Sequence, residues 1–225
     1  MDEATAQQLA KYGINSETVP EGTVKLLPRF QLLSLGGDVA KWAMRPNNDW
    51  AVAYEIETEE KRAVGLVLRN LHPKKPEAAH HTVTTEEILP LWHNWTPALP
   101  HIWKTGTAVL VEGPKDARVL HSFDIPALAY LGSAPSTDHL KTLQRYAHTI
   151  VWIPDNEPLT YQVKVRREQV LEIAKSLGLC VRLPKIPAKD AGELVLKAPQ
   201  EIPKLRQKIQ EISSLAGGGY RGLGD

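Results

Sequence analysis

The chain has 225 residues, of which 42% are hydrophobic and 24% are charged, and its formal net charge is +1. This composition is typical of a globular protein with one large domain or two small ones. No run approaches the roughly 18 apolar residues of a membrane span, and the acidic, mixed N-terminus lacks the apolar stretch of a signal peptide. We therefore expect a cytoplasmic protein. The single cysteine, Cys180, excludes an intramolecular disulfide and a zinc ribbon with four cysteine ligands.

Basic residues are concentrated in the last third of the chain. Residues 1–103 carry 10 basic and 13 acidic groups, residues 104–159 carry 5 and 6, and residues 160–225 carry 12 and 7. The basic excess of the last segment has two interpretations, solvated helix faces or a surface that meets a polyanion.

The part of the chain before about Trp103 predicts a small α+β unit. The runs "WAVAYEIE" (Trp50–Glu57) and "RAVGLVLRNL" (Arg62–Leu71) have strand character, and the acidic "TEEK" between them predicts the turn of a β-hairpin. The following "HPKKPEAAHH" is predicted to be an exposed loop, because its prolines interrupt any regular ladder.

From Thr107 onwards, short apolar runs alternate with amphipathic patterns. The strand-like runs are "TAVLVEG", "IPALAYLGS", "HTIVWIPD" and "LCVRLP". Between them, "PKDARVLHSF", "STDHLKTLQRYA" and "REQVLEIAKSLG" have helical spacing, with Ser136 or Thr137 as the cap of the second and Gly178 as the stop of the third. This alternation predicts a parallel sheet covered on both faces. A further helix, "PQEIPKLRQKIQEISSL", and a flexible glycine-rich tail are predicted after it.

Acidic residues follow the predicted strands at three places. Glu112 comes directly after the first strand, Asp155 and Glu157 follow another, and Asp190 and Glu193 lie in the loop after the fourth. Functional residues of parallel sheets collect at the carboxyl ends of the strands, so these acids are expected to converge. Carboxylates that converge repel one another unless a cation lies among them, and oxygen ligands without cysteine or histidine favour Mg²⁺ or Mn²⁺ over zinc. The alternative is that each acid alone caps a helix or ends a strand in water.

The order "EGxxDA", "DNE" and "KDxxEL" on alternating strands and helices resembles the TOPRIM domain. That domain is shared by bacterial and phage primases, type IA and type II topoisomerases and some nucleases. "VEGPKDA" and "KDAGEL" look most like phage-type and mitochondrial primase-helicases, and "GLVLRNLHPKKPE" is similar to the basic segment that precedes TOPRIM in them. The resemblance implies an α/β fold with a parallel-sheet TOPRIM (Rossmann-like) domain preceded by a small α+β N-terminal domain. The expected divisions are 1–103 (N-terminal primase-like domain), 104–198 (TOPRIM domain), 199–214 (C-terminal helix) and 215–225 (flexible tail).

The resemblance also implies roles for individual residues. Glu112 would hold or assist the reacting hydroxyl, and metal would be held at Glu112, Asp155 and Glu157, which makes these three the expected catalytic residues. Asp190 would be the final acidic element and a further metal ligand. The expected supporting residues are Gly113, Asp116 and Glu193. The residues expected to face template or nucleotide phosphates are Arg69, Lys74, Lys75 and Lys189.

One segment departs from the family's pattern. The family usually has Asp-x-Asp followed by a small residue and a glycine, where this chain has Glu157 and Pro158. Glutamate still binds magnesium, but the altered turn changes a geometry on which catalysis depends. Three hypotheses follow: a primase-like enzyme, a TOPRIM nuclease, and a nucleic-acid-binding replication adaptor without catalysis.

The first hypothesis is preferred. It predicts Mg²⁺- or Mn²⁺-dependent synthesis of short RNA primers from nucleoside triphosphates on single-stranded DNA, in a bacterial cell or a phage-infected host. The chain contains no GxxxxGK[ST] loop, so a replicative helicase would be a partner supplied by another chain.

Two further features have competing interpretations. Three of the six tryptophans, Trp92, Trp95 and Trp103, lie in the linker-like "LPLWHNWTPALPHIWK". They are predicted to pack the N-terminal domain onto the TOPRIM sheet, and stacking on the bases of a single strand is the alternative. The basic "KVRR" (Lys164–Arg167) is predicted to be the exposed start of a helix, with phosphate steering as the alternative.

Overall fold

The first sheet is antiparallel and formed by the N-terminal part of the chain. The computed structural model describes residues 24–45, 50–70, 80–84, 90–158 and 160–216, together with residues 7 and 10. The four strands, in the order β1-β2-β3-β4, are β1 (Val24–Pro28), β2 (Trp50–Glu57), β3 (Ala63–Asn70) and β4 (His80–Thr84). β2 and β3 pair with Ala53 opposite Leu68, which confirms the predicted hairpin.

The two faces of this sheet are buried against different partners. Side chains alternate between the faces of a strand. Ala51 and Ala53 of β2 pack with helices α1 (Arg29–Ser34) and α2 (Gly37–Ala43). Their neighbours Val52, Tyr54 and Ile56 belong to a core that includes Val109 and Val151 of the second sheet. The two sheets therefore share one hydrophobic core.

The second sheet is parallel and has the order β6-β5-β7-β8. Its strands are β5 (Thr107–Val111), β6 (Ala127–Ala129), β7 (Thr149–Ile153) and β8 (Cys180–Arg182). Every residue of β5 and β7 is buried, as expected for central strands with helices on both faces. The structure confirms the predicted parallel sheet and, with it, the predicted α/β fold class.

Helices cover both faces of the parallel sheet. They are α3 (Trp95–Thr105), α4 (Pro114–His121), α5 (Thr137–Gln144), α6 (Tyr161–Ser176), α7 (Ala191–Lys197) and α8 (Ile202–Ala216), with a 3₁₀ turn at Pro199–Glu201. Helices α4, α7 and α8 pack on one face and α3, α5 and α6 on the other. Ser136 caps α5, as one of the two predicted candidates, by accepting a hydrogen bond from the backbone N–H of His139. No helix in the described ranges combines the length and apolar character needed to cross a membrane.

The linker-like tryptophan segment is a helix, so its description as a linker is wrong. α3 buries Trp95, Ala98, Leu99 and Ile102 against the parallel sheet although Pro100 lies inside it. The free energy gained by burying this apolar face offsets the cost of the backbone hydrogen bond that the proline removes. The helix also runs across the expected domain boundary at 103/104, and the division into domains stays a prediction.

The tryptophans of this segment have two different environments. The rings of Trp92 and Trp95 stack with their centres 5.3 Å apart and are fully buried, so the packing prediction is confirmed for both. Trp103 is 60% exposed, and the packing prediction is wrong for it. Trp103 lies at the last turn of α3, where the helix leaves the core.

Candidate active site

Glu112 lies on the turn that joins β5 to α4. Gly113 precedes the helix in an extended conformation, and Pro114 occupies the first helical turn, where its missing N–H leaves no bond unmade. The backbone N–H of Leu131 donates to the carbonyl of Glu112 at 3.2 Å. The turn is therefore fixed on both sides, and the Glu112 side chain lines a cavity at the carboxyl end of the strand.

Asp155 follows β7, the parallel neighbour of β5. The strands pair Val111 with Ile153, so Glu112 and Asp155 emerge at the same edge of the sheet. The loop that carries Asp155 is tied down at two points. Asn156 N–H donates to the carbonyl of Lys189 at 2.5 Å, and Arg167 Nη2 donates to the carbonyl of Asp155 at 3.1 Å.

Both sheets line the resulting cavity, which has a volume of about 200 Å³. The parallel-sheet half contributes Glu112, Gly113, Pro114, Lys115, Asp116, Asp155, Lys189 and Asp190, and the antiparallel sheet contributes Tyr54, Val67 and Arg69. We call this cavity the acidic cleft. The carboxylates of the parallel-sheet half and Arg69 of the antiparallel sheet therefore line the same cavity.

Crowding and burial change the acidity of the two central carboxyl groups. Burial, together with the charges of Asp155, Glu157 and Asp116, raises the pKa of Glu112 to about 7. Burial, together with the charges of Asp116 and Asp190, raises the pKa of Asp155 to about 6. Both groups favour their neutral forms more than an exposed carboxyl does, because burial disfavours the charged form and neighbouring negative charges disfavour it further.

Lys115 compensates two of the other acids. Its Nζ lies 3.6 Å from Asp116 Oδ1 and 3.4 Å from Asp190 Oδ1. Burial raises the pKa of Asp116, whose Oδ1 also accepts a hydrogen bond from Gly192 N–H at 2.8 Å. Although burial opposes it, the charge of Lys115 and the bond from Glu193 N–H lower the pKa of Asp190. Asp190 thereby caps α7 in addition to lining the cleft.

The structure brings most of the expected site residues together. Those that line the acidic cleft are Glu112, Asp155, Asp190, Asp116, Gly113, Arg69 and Lys189. Glu157 is exposed and lines an adjoining cavity of about 450 Å³, together with Arg166 and Lys189. Glu193 lies outside both cavities and accepts hydrogen bonds from Lys189 N–H at 2.6 Å and from Lys197 Nζ at 2.5 Å. Lys74 and Lys75 lie outside the described residues.

The "KVRR" run lies inside α6 and not at its exposed start. Thr160 caps this helix, which begins at Tyr161, and Arg166 and Arg167 in its second turn are half-buried. Arg166 lines the adjoining cavity, and its charge lowers the pKa of Glu112 against the larger effects that raise it. The run therefore contributes positive charge beside the acidic cleft.

No ready-made metal cage is present in the parts of the chain that the structure describes. Within those parts, no three histidine, cysteine or carboxylate side chains are grouped closely enough to hold one ion. The carboxylates of the acidic cleft share one cavity, but they do not form a closed set of ligands.

Sequence reasoning missed several residues of this region. Lys115 lies within the "EGPKDA" motif, so its place in the motif could have pointed to it. Tyr54 lines the cleft from β2, and nothing in the sequence indicates which face of that strand meets the parallel sheet.

A buried His93–Arg118 pair lies between the two sheets and was also missed. Arg118 Nε donates to His93 Nε2 at 2.9 Å, and His93 Nδ1 is 2.6 Å from the carbonyl of Glu55. His93 must therefore carry its proton on Nδ1, and burial next to Arg118 lowers the pKa of His93 so that it stays neutral. Burial also lowers the pKa of Arg118 to about 10, which leaves it charged at neutral pH. The pair connects α4, which follows the Glu112 turn, to β2.

Comparison with known proteins gives relatives of one kind. No family model matches the chain. A DNA primase of Campylobacter jejuni is 25% identical over 218 residues, covering 91% of this chain and 35% of that protein. The crystal structure of the Aquifex aeolicus primase (zinc-binding and RNA polymerase domains) is similar with a TM-score of 0.71 and 18% identity, covering 93% of this chain and 56% of that chain. The fold is that of a primase catalytic domain.

A DnaG primase catalytic domain bound to single-stranded DNA has the same fold. It is similar with a TM-score of 0.68 and 19% identity, and the match covers 90% of this chain and 70% of that chain. The present chain thus spans about a third of the length of the curated relative and just over half of the A. aeolicus chain. Its parallel-sheet half corresponds to the TOPRIM-type domain of these primases.

Proposed function

We propose that the acidic cleft catalyses metal-dependent nucleotidyl transfer and joins ribonucleotides into short primers on a single-stranded DNA template. The observation that carries the proposal is the meeting of Glu112 and Asp155, from adjacent parallel strands, in a cavity that Arg69 completes from the other sheet. The primase catalytic fold and the similarity to a DNA primase of C. jejuni support it.

The residues of the cleft suit a hard divalent cation. We propose that Glu112, Asp155 and Asp190 of the cleft, together with Glu157 of the adjoining cavity, would hold Mg²⁺ or Mn²⁺, because all four offer carboxylate oxygens. Burial raises the pKa of Glu112 most, and the charges of Asp155, Glu157 and Asp116 raise it further. A cation among these carboxylates would relieve the repulsion between them. When bound, such an ion polarises phosphoryl oxygens and neutralises charge that develops on them.

The remaining chemistry is assigned to side chains of the chain itself. Arg69 and Lys189 both line the cleft, Arg69 from β3 and Lys189 from the loop before α7, and they would bind and orient phosphates. Glu112 would accept a hydrogen bond from the reacting hydroxyl and take its proton, as that hydroxyl oxygen attacks the α-phosphate of the incoming nucleotide and pyrophosphate leaves. Lys115 holds Asp116 and Asp190 in place beside it.

The incoming nucleoside triphosphate needs more room than the cleft alone provides. Ligand pockets usually measure about 300–1,000 Å³, and the acidic cleft measures about 200 Å³. The adjoining cavity of about 450 Å³ shares Lys189 with it and adds Arg166. We propose that the substrate extends from the cleft into this second cavity, so that Lys189 and Arg166 contact its phosphates.

The proposed partners follow from this chemistry. They are single-stranded DNA, nucleoside triphosphates and a replicative helicase on another chain, in the cytoplasm of a bacterium or of a phage-infected host. The likeness of "VEGPKDA" and "KDAGEL" to phage-type and mitochondrial primase-helicases supports the helicase proposal, since in those proteins the two activities occur together.

A primer-synthesis assay tests the proposal. The protein is incubated with labelled ribonucleotides and several single-stranded templates, with Mg²⁺, with Mn²⁺ and with EDTA. We expect short labelled products with metal only, and none from Glu112→Gln. The matched control is Glu172→Gln, the same change at an exposed position of α6 outside both cavities, which should retain activity. Absence of products from the wild type on every template would contradict the proposal.

One observation favours a second candidate, a binding protein without turnover. Glu157 is exposed and lines the adjoining cavity and not the acidic cleft. Pro158 follows it where the family has a small residue and then a glycine. Tight binding of single strands with neither synthesis nor degradation in the same assay would support this candidate. Degradation of the template would support a nuclease.

A further inference from the structure

A further cavity, separate from the acidic cleft and from the cavity that adjoins it, lies at the opposite edge of the parallel sheet. It has a volume of about 380 Å³, and its lining residues are Trp103, Lys104, Thr105, Gly106 and residues 144–148. Gly106 and His148 directly precede β5 and β7, whereas Glu112 and Asp155 follow them closely. Since a five-residue strand spans about 16 Å, the two cavities are well separated. We call this one the amino-edge cavity.

Trp103 gives the amino-edge cavity an exposed aromatic surface. It is 60% exposed, while Trp92 and Trp95 of the same segment are fully buried, so Trp103 contributes little to the core. Lys61 Nζ, from the β2–β3 turn, lies 5.5 Å from the centre of the Trp103 ring. A cation at this distance interacts favourably with the face of an indole. The structure thus presents a large, flat, solvent-accessible ring beside a positive charge.

Positive charge predominates around this ring. Lys61, Lys104 and Arg145 come from three different elements, the hairpin turn, the end of α3 and the end of α5. Lys104 makes no ion pair with any of the described residues. The acid nearest to them, Glu59, is paired with Arg145 and accepts a hydrogen bond from the Tyr146 hydroxyl at 2.5 Å. The turn residues Glu59, Glu60, Lys61 and Arg62, together with Lys104 and Arg145, amount to four basic and two acidic residues.

The floor of the amino-edge cavity is rigid. Gly106 has φ +64°, and a Cβ added there would lie 2.2 Å from His148 Nε2. Its carbonyl accepts hydrogen bonds from the N–H groups of His148 and Thr149, at 3.0 and 3.1 Å. The end of α3, which carries Trp103 and Lys104, is therefore fixed against the start of β7.

We propose that the amino-edge cavity binds a nucleotide of a single-stranded nucleic acid, with a base stacked on Trp103 and phosphates facing Lys104 and Arg145. Stacking on aromatic rings and contacts between cations and phosphates are the two interactions that single-strand-binding surfaces combine. The volume is within the ~300–1,000 Å³ range of ligand pockets.

A continuous strand fits this surface better than a free nucleotide does. Lys104 and Arg145 line the cavity from two elements, and Lys61 of a third element lies against Trp103. Cations separated in this way suit a strand, because its backbone carries one phosphate per nucleotide. That the strand is the template rests on the proposed function, whereas the binding itself does not. A template bound at the amino-edge cavity would be held in position for reaction at the acidic cleft. This contact would use none of the carboxylates of the cleft.

Binding of a labelled single strand tests the inference directly. The affinity of a strand of about 16 nucleotides is measured by fluorescence anisotropy in EDTA, so that no divalent ion in the acidic cleft contributes. We expect Trp103→Ala to weaken binding roughly 5- to 150-fold, as for the loss of one stacked base. Trp103→Phe should retain most of the affinity. Phe30→Ala is the matched control, since Phe30 is an aromatic residue of α1 that is 70% exposed and lies outside the cavity.

Removal of the Lys104 charge and competition by a mononucleotide complete the test. Lys104→Gln, which alters no core contact, should lower the affinity. It should also reduce the slope of log affinity against log salt concentration by about 1, as expected for the loss of one phosphate contact. Unchanged affinity in both Trp103→Ala and Lys104→Gln would overturn the inference and leave a protein partner as the occupant. A mononucleotide that competes as strongly as the strand would overturn the choice of a strand. Because binding is measured without metal, failure of primer synthesis alone would refute the proposed function and not this site.

Discussion

Replacing Glu112 by glutamine should stabilise the protein at alkaline pH while it abolishes catalysis. Burial and the charges of Asp155, Glu157 and Asp116 raise the pKa of Glu112 from its usual value of 4.5 to about 7. The folded state therefore binds this proton more tightly than the unfolded chain does. The contribution to stability is present below pH 4.5 and is lost as the pH rises to about 7.

The size of the effect follows from the same two values. The difference between 4.5 and about 7 corresponds to about 3 kcal/mol for a group shielded from water. Glu112 is only half-buried, so solvent screening reduces the penalty to about 1–2 kcal/mol. Glu112→Gln removes the charge but keeps the shape of the side chain. It should therefore raise the free energy of unfolding by about 1–2 kcal/mol at pH 8, and by much less at pH 4.5.

Urea unfolding of both proteins at pH 4.5 and pH 8, in EDTA, measures this difference. Glu172→Gln should show the wild-type pH dependence, because Glu172 is exposed. Adding Mg²⁺ at pH 8 should stabilise the wild type more than Glu112→Gln, since an ion that binds only the folded state stabilises it by mass action. A Glu112→Gln protein that is less stable than the wild type at pH 8 would refute the conclusion that burial and the neighbouring acids disfavour the charged form of Glu112.

Three further substitutions test other parts of the structure. Arg118→Ala should lower the free energy of unfolding by about 2–4 kcal/mol, because it removes a buried side chain and the bond to His93; a loss below about 1 kcal/mol in urea unfolding would contradict this. Gly192→Ala places a Cβ 2.4 Å from the Nζ of Lys115, so Lys115 must move. We expect this change to reduce primer synthesis and to lower the free energy of unfolding by only about 1 kcal/mol. Asp190→Asn keeps the cap of α7, since Asn caps as well as Asp, so the melting temperature should stay close to that of the wild type while the affinity for Mn²⁺ falls; unchanged Mn²⁺ affinity would exclude Asp190 as a ligand.

Much of the parallel sheet could be predicted from the sequence because its signals are local. "TAVLV" and the apolar part of "HTIVWIPD" are short continuous apolar runs that end near Gly113 and Pro154, and their length and flanking residues favour strands buried on both faces. The cap at Ser136 and the stop at Gly178, with φ +74°, are likewise properties of a few adjacent residues. The hairpin of β2 and β3 was predictable for the same reason.

The features that could not be predicted depend on contacts between distant parts of the chain. Arg118 looks like a surface residue of a helix, and only the packing of β2 against α4 makes it a buried partner of His93. Nothing in the segment from Trp92 to Trp103 distinguishes the two buried tryptophans from the exposed one, because that depends on where α3 leaves the core. The acids of the cleft were predictable as a group, but the capping role of Asp190 and its link to Lys115 required the fold.

Formation of the first phosphodiester bond is the most direct test of the account. Two ribonucleotides, one labelled, are incubated with a single-stranded DNA template and Mg²⁺ or Mn²⁺, and the dinucleotide is resolved from the substrates and from degraded template on a gel. The account predicts a dinucleotide from the wild type with metal, and none in EDTA or from a folded Glu112→Gln protein. A dinucleotide formed by Glu112→Gln at the wild-type rate, or degradation of the template with no dinucleotide from the wild type, would contradict it.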